Sequence, residues 1–222
     1  MNLFSQLSSF LDAYFNGIKL KQPLFFSGFP GLRFDLQDEK ADTSNDHYFD
    51  EVVRRMGEIH AVTISPDDDI LILYQKYVFK RRKIRKNNYL FKQFEANTAR
   101  IQFKTNKTLI YGDGPYCKGE KSCRVIITDK AANINFNAIY LSIANMDFNR
   151  RPFIKGELYV VNLTKQTVTL MYDYRGCDLI SPNADSPPLA KNRRAFALAT
   201  SIPSPTRETP LSAAPPTRAN PP

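Results

Sequence analysis

Nine of the fifteen prolines fall after Asn183, between Pro187 and Pro222, in a stretch that contains no glycine. Each proline fixes φ and removes a backbone donor. The Ala, Ser and Thr around them bury too little apolar surface to offset an ordering cost of roughly 1–2 kcal/mol per residue. A single folded domain is therefore expected over 1–182, followed by a disordered tail over 183–222 whose one apolar cluster is Phe196 to Leu198. The break in composition is abrupt enough to resemble out-of-frame translation.

Upstream of that break the chain can build one sizeable core, since 42% of the 222 residues are apolar and 24% charged. The longest unbroken apolar runs are five residues, Ile70 to Tyr74 and Ala195 to Ala199, against the ~20 needed to cross a bilayer. No membrane association is expected. The first basic residue is Lys19, and Gln6, Ser8, Ser9 and Asp12 interrupt any apolar stretch of the signal-peptide kind, so a cytoplasmic location is expected. Three cysteines, an odd number, read as reduced thiols and not as a disulfide framework.

Three helices are legible. Leu7, Phe10, Leu11 and Tyr14 share one helical face, and Phe49, Val52, Val53, Met56 and Ile59 form a second stripe that Asp46 is placed to cap. Asn135 precedes Phe136, Ile139, Tyr140 and Ile143 at the spacing of a third. The β-branched and aromatic segments 32–36, 70–78, 99–103 and 124–128 read as strands. Residues 157–162 and 167–172 are separated by Leu163-Thr164-Lys165-Gln166, a hairpin-length loop, and a turn at Asp173-Tyr174-Arg175-Gly176 leads to a last strand over 177–180. Strands cluster late, which points to an α+β fold: a mainly antiparallel sheet ending in a β-meander, with about three helices packed on it and one face covered. A three-layer α/β sheet is the alternative.

Gly28-Phe29-Pro30-Gly31-Leu32-Arg33-Phe34-Asp35, Arg54-Arg55-Met56, the run 69–74 and, above all, the tyrosine, aspartate, arginine, glycine and aspartate between Leu170 and Ile180 carry a resemblance. Over about 24–180 the chain is similar to the uncharacterised bacterial family known as domain of unknown function 3885. The resemblance implies a fold and no activity. Family members continue past this turn into a further helical segment, where this chain has its proline-rich tail.

Charge is localised. Between Lys76 and Lys92 lie Lys76, Lys80, Arg81, Arg82, Lys83, Arg85, Lys86 and Lys92 with no acidic residue, a charge of +8; the tail adds +3. The rest of the chain, +9 less these two, carries −2. An excess confined to one connector and a tail is unlike the broad basic face of a dedicated nucleic-acid domain. Lys80, Arg81, Arg82, Lys83, Arg85 and Lys86 are the residues that would meet an anion or an acidic protein partner. If the partner is nucleic acid, Tyr77, Phe79, Tyr89 and Phe91 would supply stacking surfaces.

Other motifs are incomplete. Gly114 to Ser122 nearly spells a phosphate loop, but Glu120 interrupts the Gly-Lys-Ser order and a strand follows where a helix is required. Cys117, Cys123 and Cys177 with His47 and His60 lack the paired spacing of structural zinc. Asp67-Asp68-Asp69 lacks the glycine and the glutamate of a calcium loop and reads as a turn. His60 reads as a helix-end residue favoured by the dipole. No cofactor, metal or catalytic residue is assigned. Asp173, Arg175 and Asp178 are the expected partner-binding residues: two carboxylates flanking a guanidinium in a turn, with Gly176 supplying a positive φ and Asp173 an Asx turn. The expected function is a non-enzymatic protein-binding module, immunity-type in one version, with nucleic-acid binding through the basic connector as the alternative.

Overall fold

Ile70 to Tyr74 is apolar at every position, which a strand can satisfy only if both of its faces are covered. The computed structural model describes residues 2–37, 42–78, 84–85, 88–95, 97–106, 121–186 and 189–190, and it places this run in the middle of a seven-stranded sheet. The strands are β1 (Gly31–Asp35), β2 (Asp69–Val78), β3 (Arg100–Asn106), β4 (Lys121–Lys130), β5 (Glu157–Asn162), β6 (Thr167–Asp173) and β7 (Gly176–Ile180). Their order is β1-β7-β6-β5-β2-β4-β3, and every adjacent pair is antiparallel. The α+β fold and the terminal meander follow the sequence expectation.

Helices cover both faces, not one. Helices α2 (Asp46–Thr63) and α3 (Phe136–Ala144) pack with Ile70, Ile72, Tyr74, Val125, Ile127 and Val160. On the other side α1 (Leu3–Phe15) packs with Leu71, Leu73, Ile126, Tyr159 and Val161. The cause is the two-sided apolar composition of β2 and β5, whose exposed face would otherwise forgo about 1.5–3 kcal/mol per large side chain.

Asparagines cap the three α-helices named here. Asn2 accepts from the Phe4 and Ser5 amides, and Asn135 accepts from Ala138 N–H at 3.2 Å. The cap of α2 is Asn45, accepting from His47 N–H at 3.0 Å; Asp46 is instead the first helical residue and pairs with Arg150. In α1 the expected stripe shifts at its end: Tyr14 is exposed and Phe15 is fully buried. Left-handed Asn16 and Gly17 fold the chain back beneath the helix, where Phe15 meets Phe29 edge-on at 5.1 Å.

The β5–β6 turn is fixed by Asn162. Its carbonyl oxygen accepts from the amides of Thr164 and Lys165, and its NH2 group donates to Asp68 at 2.7 Å. Packing also runs beyond 182, because Leu189 is fully buried in the core beneath α2 and α3. The compositional break at 183 thus precedes Leu189, the last core residue among those described.

Candidate functional site

The β6–β7 turn holds two of the three expected residues together and sends the third elsewhere. Asp173 closes the anticipated Asx turn by accepting from Arg175 N–H at 2.7 Å, and the Arg175 guanidinium returns to the same carboxylate with its Nε at 2.9 Å. Asp173 is buried, whereas the Arg175 side chain is 57% exposed. Asp178 does not complete the clamp. Its partner is Arg33 on β1, Nε to Oδ1 at 2.8 Å and Nη2 to Oδ2 at 3.1 Å, because antiparallel pairing sets Asp178 opposite Arg33 in register.

Gly176 is needed for space and not for a positive φ. Its backbone is in the ordinary region, but a Cβ there would lie 2.5 Å from the Phe34 carbonyl oxygen and would collide with the Tyr172 hydroxyl. Gly176→Ala is expected to destabilise the chain by about 2 kcal/mol through overpacking. Urea titration checks this, and an unchanged midpoint would contradict the packing.

Around Arg33 the structure gathers residues that sequence reasoning passed over. The 3-10 turn Leu24–Phe26 buries Leu24 in the α1 core and turns Phe25 and Phe26 outward. The Arg33 guanidinium lies 5.2 Å from the Phe25 ring centre, 5.3 Å from Phe26 and 5.8 Å from Tyr172. Asp178, with no exposed surface, fixes this arginine from below and also accepts from Phe25 N–H at 3.0 Å. One buried carboxylate thus positions both the arginine and the aromatic turn. Phe26 is 72% exposed, a large apolar side chain held in water by a rigid support. Its signal in the sequence was weak: three apolar residues between Pro23 and Ser27 with no period to assign them.

A second polar cluster lies beneath a cleft of about 390 Å3 lined by Gly57, His60, Ser65, Pro66, Asn135 and Phe136 among others. His60 Nδ1 hydrogen-bonds the buried Tyr140 hydroxyl at 2.8 Å. Burial, helped by the nearby Lys165 charge and opposed by Asp68, pushes its pKa down to about 4. A neutral imidazole gains nothing from the helix dipole, so the expected dipole role gives way to burial. Asp68, the middle of the three aspartates, is buried and accepts from Ser65 N–H, Asn162 and Lys165. These contacts hold its carboxyl below the usual range against the opposing effect of burial. Lys165 also donates to Ser65 Oγ at 2.7 Å. Ser65 therefore meets a donor where a nucleophile needs a proton acceptor.

Of the basic run, Lys80, Arg81, Arg82, Lys83 and Lys86 lie outside the described residues; Arg85 is exposed, and Ile84 between them is buried in the α2–α3 core. Most of the near-phosphate loop and Cys117 also lie outside them, and Ser122 is already within β4. Cys177 is fully buried, and burial, with Asp178 beside it, pushes its thiol pKa up, the reverse of what a nucleophile needs. Among the described residues no helix is long and apolar enough to cross a membrane.

No curated protein and no solved structure matches the chain. A family match does extend across most of it, over residues 7–205, from within α1 through α2, α3 and all seven strands described here and past the compositional break at 183. With the strands, the β6–β7 turn and the Arg33–Asp178 pair all inside that span, the chain belongs to the family described as Domain of unknown function (DUF3885).

Proposed function

We propose that this member of the family is a non-enzymatic protein-binding module that acts in the cytoplasm. The observation that carries the reading is the Phe25–Phe26–Arg33 cluster. Aromatic residues and arginine are the side chains that most often dominate binding energy at protein interfaces, and a pre-positioned cluster avoids the ordering cost of binding. Arg33 is half-exposed, rigidly stacked, and retains Nη1 for a partner carbonyl or carboxylate. Arg175 is a separate exposed cation, held by its own carboxylate Asp173 at the β6–β7 turn beside Tyr174. An immunity-type protein that neutralises its partner is one form such a module takes.

Phe26→Ala is expected to abolish retention of the partner on the immobilised full chain while leaving the unfolding midpoint unchanged, since truncating an interface anchor costs about 2 kcal/mol or more of binding. Undiminished retention would reject this surface. The eight basic residues of 76–92 support the alternative, nucleic-acid binding. It requires affinity for RNA or DNA that falls steeply with salt and is lost when Lys80 to Lys86 are neutralised.

A further inference from the structure

We infer that β3 receives an extended strand from another protein, with acidic and apolar residues alternating along it. This surface lies at the opposite sheet edge from Phe26 and stands independently of it.

The two edges of the sheet are finished differently. β1 is five residues long and carries the exposed charged residues Arg33 and Asp35, and a short, charged edge strand resists pairing. β3 is seven residues long, has β4 as its one partner among the described residues, and exposes Ile101 and Phe103 at 42% and 45%. Both stand in register with fully buried core residues, Ile101 opposite Ile127 and Phe103 opposite Val125. The apolar layer of the α2–α3 face therefore runs out to the edge strand and stops half-covered. Phe103 also reaches Phe91, ring centres 5.7 Å apart, which widens the apolar strip.

Alternation sets the occupant's chemistry. Arg100, Gln102 and Lys104 occupy the other face of β3; Gln102 is tied to Leu3 N–H at 2.7 Å, and Lys104 lies over the Phe4 ring. Arg100 and Lys104 are exposed, as is Lys92 beside Phe91. The nearby acid Asp129 is engaged by Thr98, Asn133 and the Lys130 amide. A strand added along β3 completes the backbone ladder, covers Ile101 and Phe103 with apolar residues, and meets Arg100 and Lys104 with carboxylates. A second copy of this chain fits poorly, because antiparallel self-pairing would bring the same cations together.

The test uses the full chain and three peptides: an acetylated and amidated Glu-Val-Glu-Val-Glu-Val-Glu, its counterpart with lysine for glutamate, and a version with a central proline. Amide hydrogen exchange over 100–106 is the readout. The acidic peptide is expected to protect this segment, the other two to leave it unprotected, and Phe103→Thr and Ile101→Thr, both compatible with a strand, to weaken binding about tenfold each. Equal binding of the lysine peptide, no protection at millimolar acidic peptide, protection that instead grows with protein concentration alone, or protection by single-stranded RNA in place of peptide would overturn the proposal.

Discussion

Asp178→Ala is expected to destabilise the chain by about 3 kcal/mol in urea titration. The carboxylate is completely buried, and both oxygens are used: Arg33 binds each of them and Phe25 N–H shares Oδ2. Breaking a buried pair by deleting one partner costs about 3–5 kcal/mol, chiefly through the group left behind. Here that group is Arg33, whose side chain is 39% exposed and can regain water, which sets the loss at the low end. The Phe25 N–H loses its acceptor as well. Asp178→Asn keeps the volume and one acceptor and should cost about half as much. Because the same carboxylate orients the aromatic turn, partner retention should fall with both variants and most with alanine. A loss below about 1 kcal/mol for Asp178→Ala would show that Arg33 and Phe25 are held by other means.

Stability should also fall as pH drops through the range set by His60. In the folded chain its pKa lies near 4, against an ordinary value of 6.5. Above 6.5 the imidazole is neutral in both states and contributes no slope. Between 6.5 and 4 the unfolded chain takes up a proton that the folded chain refuses, so stability declines with falling pH; below 4 both states are protonated and the loss is complete. One pH unit between the two values is worth about 1.4 kcal/mol, which puts the full loss at about 3 kcal/mol. Glu51, held to about 2 by Arg54 and Arg55, acts in a separate and lower window. His60→Gln should flatten the decline between pH 6.5 and 4 and leave the acid limb in place. A decline unchanged in that variant would contradict the burial of a neutral imidazole.

Local features were legible in the sequence in proportion to how local their physics is. The third helix with its Asn135 cap and the 157–162/167–172 hairpin depend on neighbours within a few residues and were found as expected. The Asp173–Arg175 Asx turn spans two residues and was likewise readable. Asp178 was not, because its partner Arg33 is 145 residues away and meets it only through strand register. Phe25 and Phe26 acquire meaning only once Leu24 is anchored in the α1 core. The Asp68–Lys165 contact similarly joins an apparent surface turn to the β5–β6 loop, across the width of two strands. Two-sided cover of the sheet was present in the unbroken apolar run of β2, and a single covered face was inconsistent with it.

The most direct measurement is photo-crosslinking from the proposed surface in the intact chain, expressed in its own cell. Benzoylphenylalanine in place of Phe26 is compared with the same group in place of Glu58, whose side chain is 66% exposed on the far face of α2. A discrete adduct with one protein from position 26, absent from position 58 and lost when Arg33→Ala is added, is the expected result. Indistinguishable labelling from both positions, or no adduct from position 26 while the chain remains folded, would contradict a recognition surface built on Phe26 and Arg33.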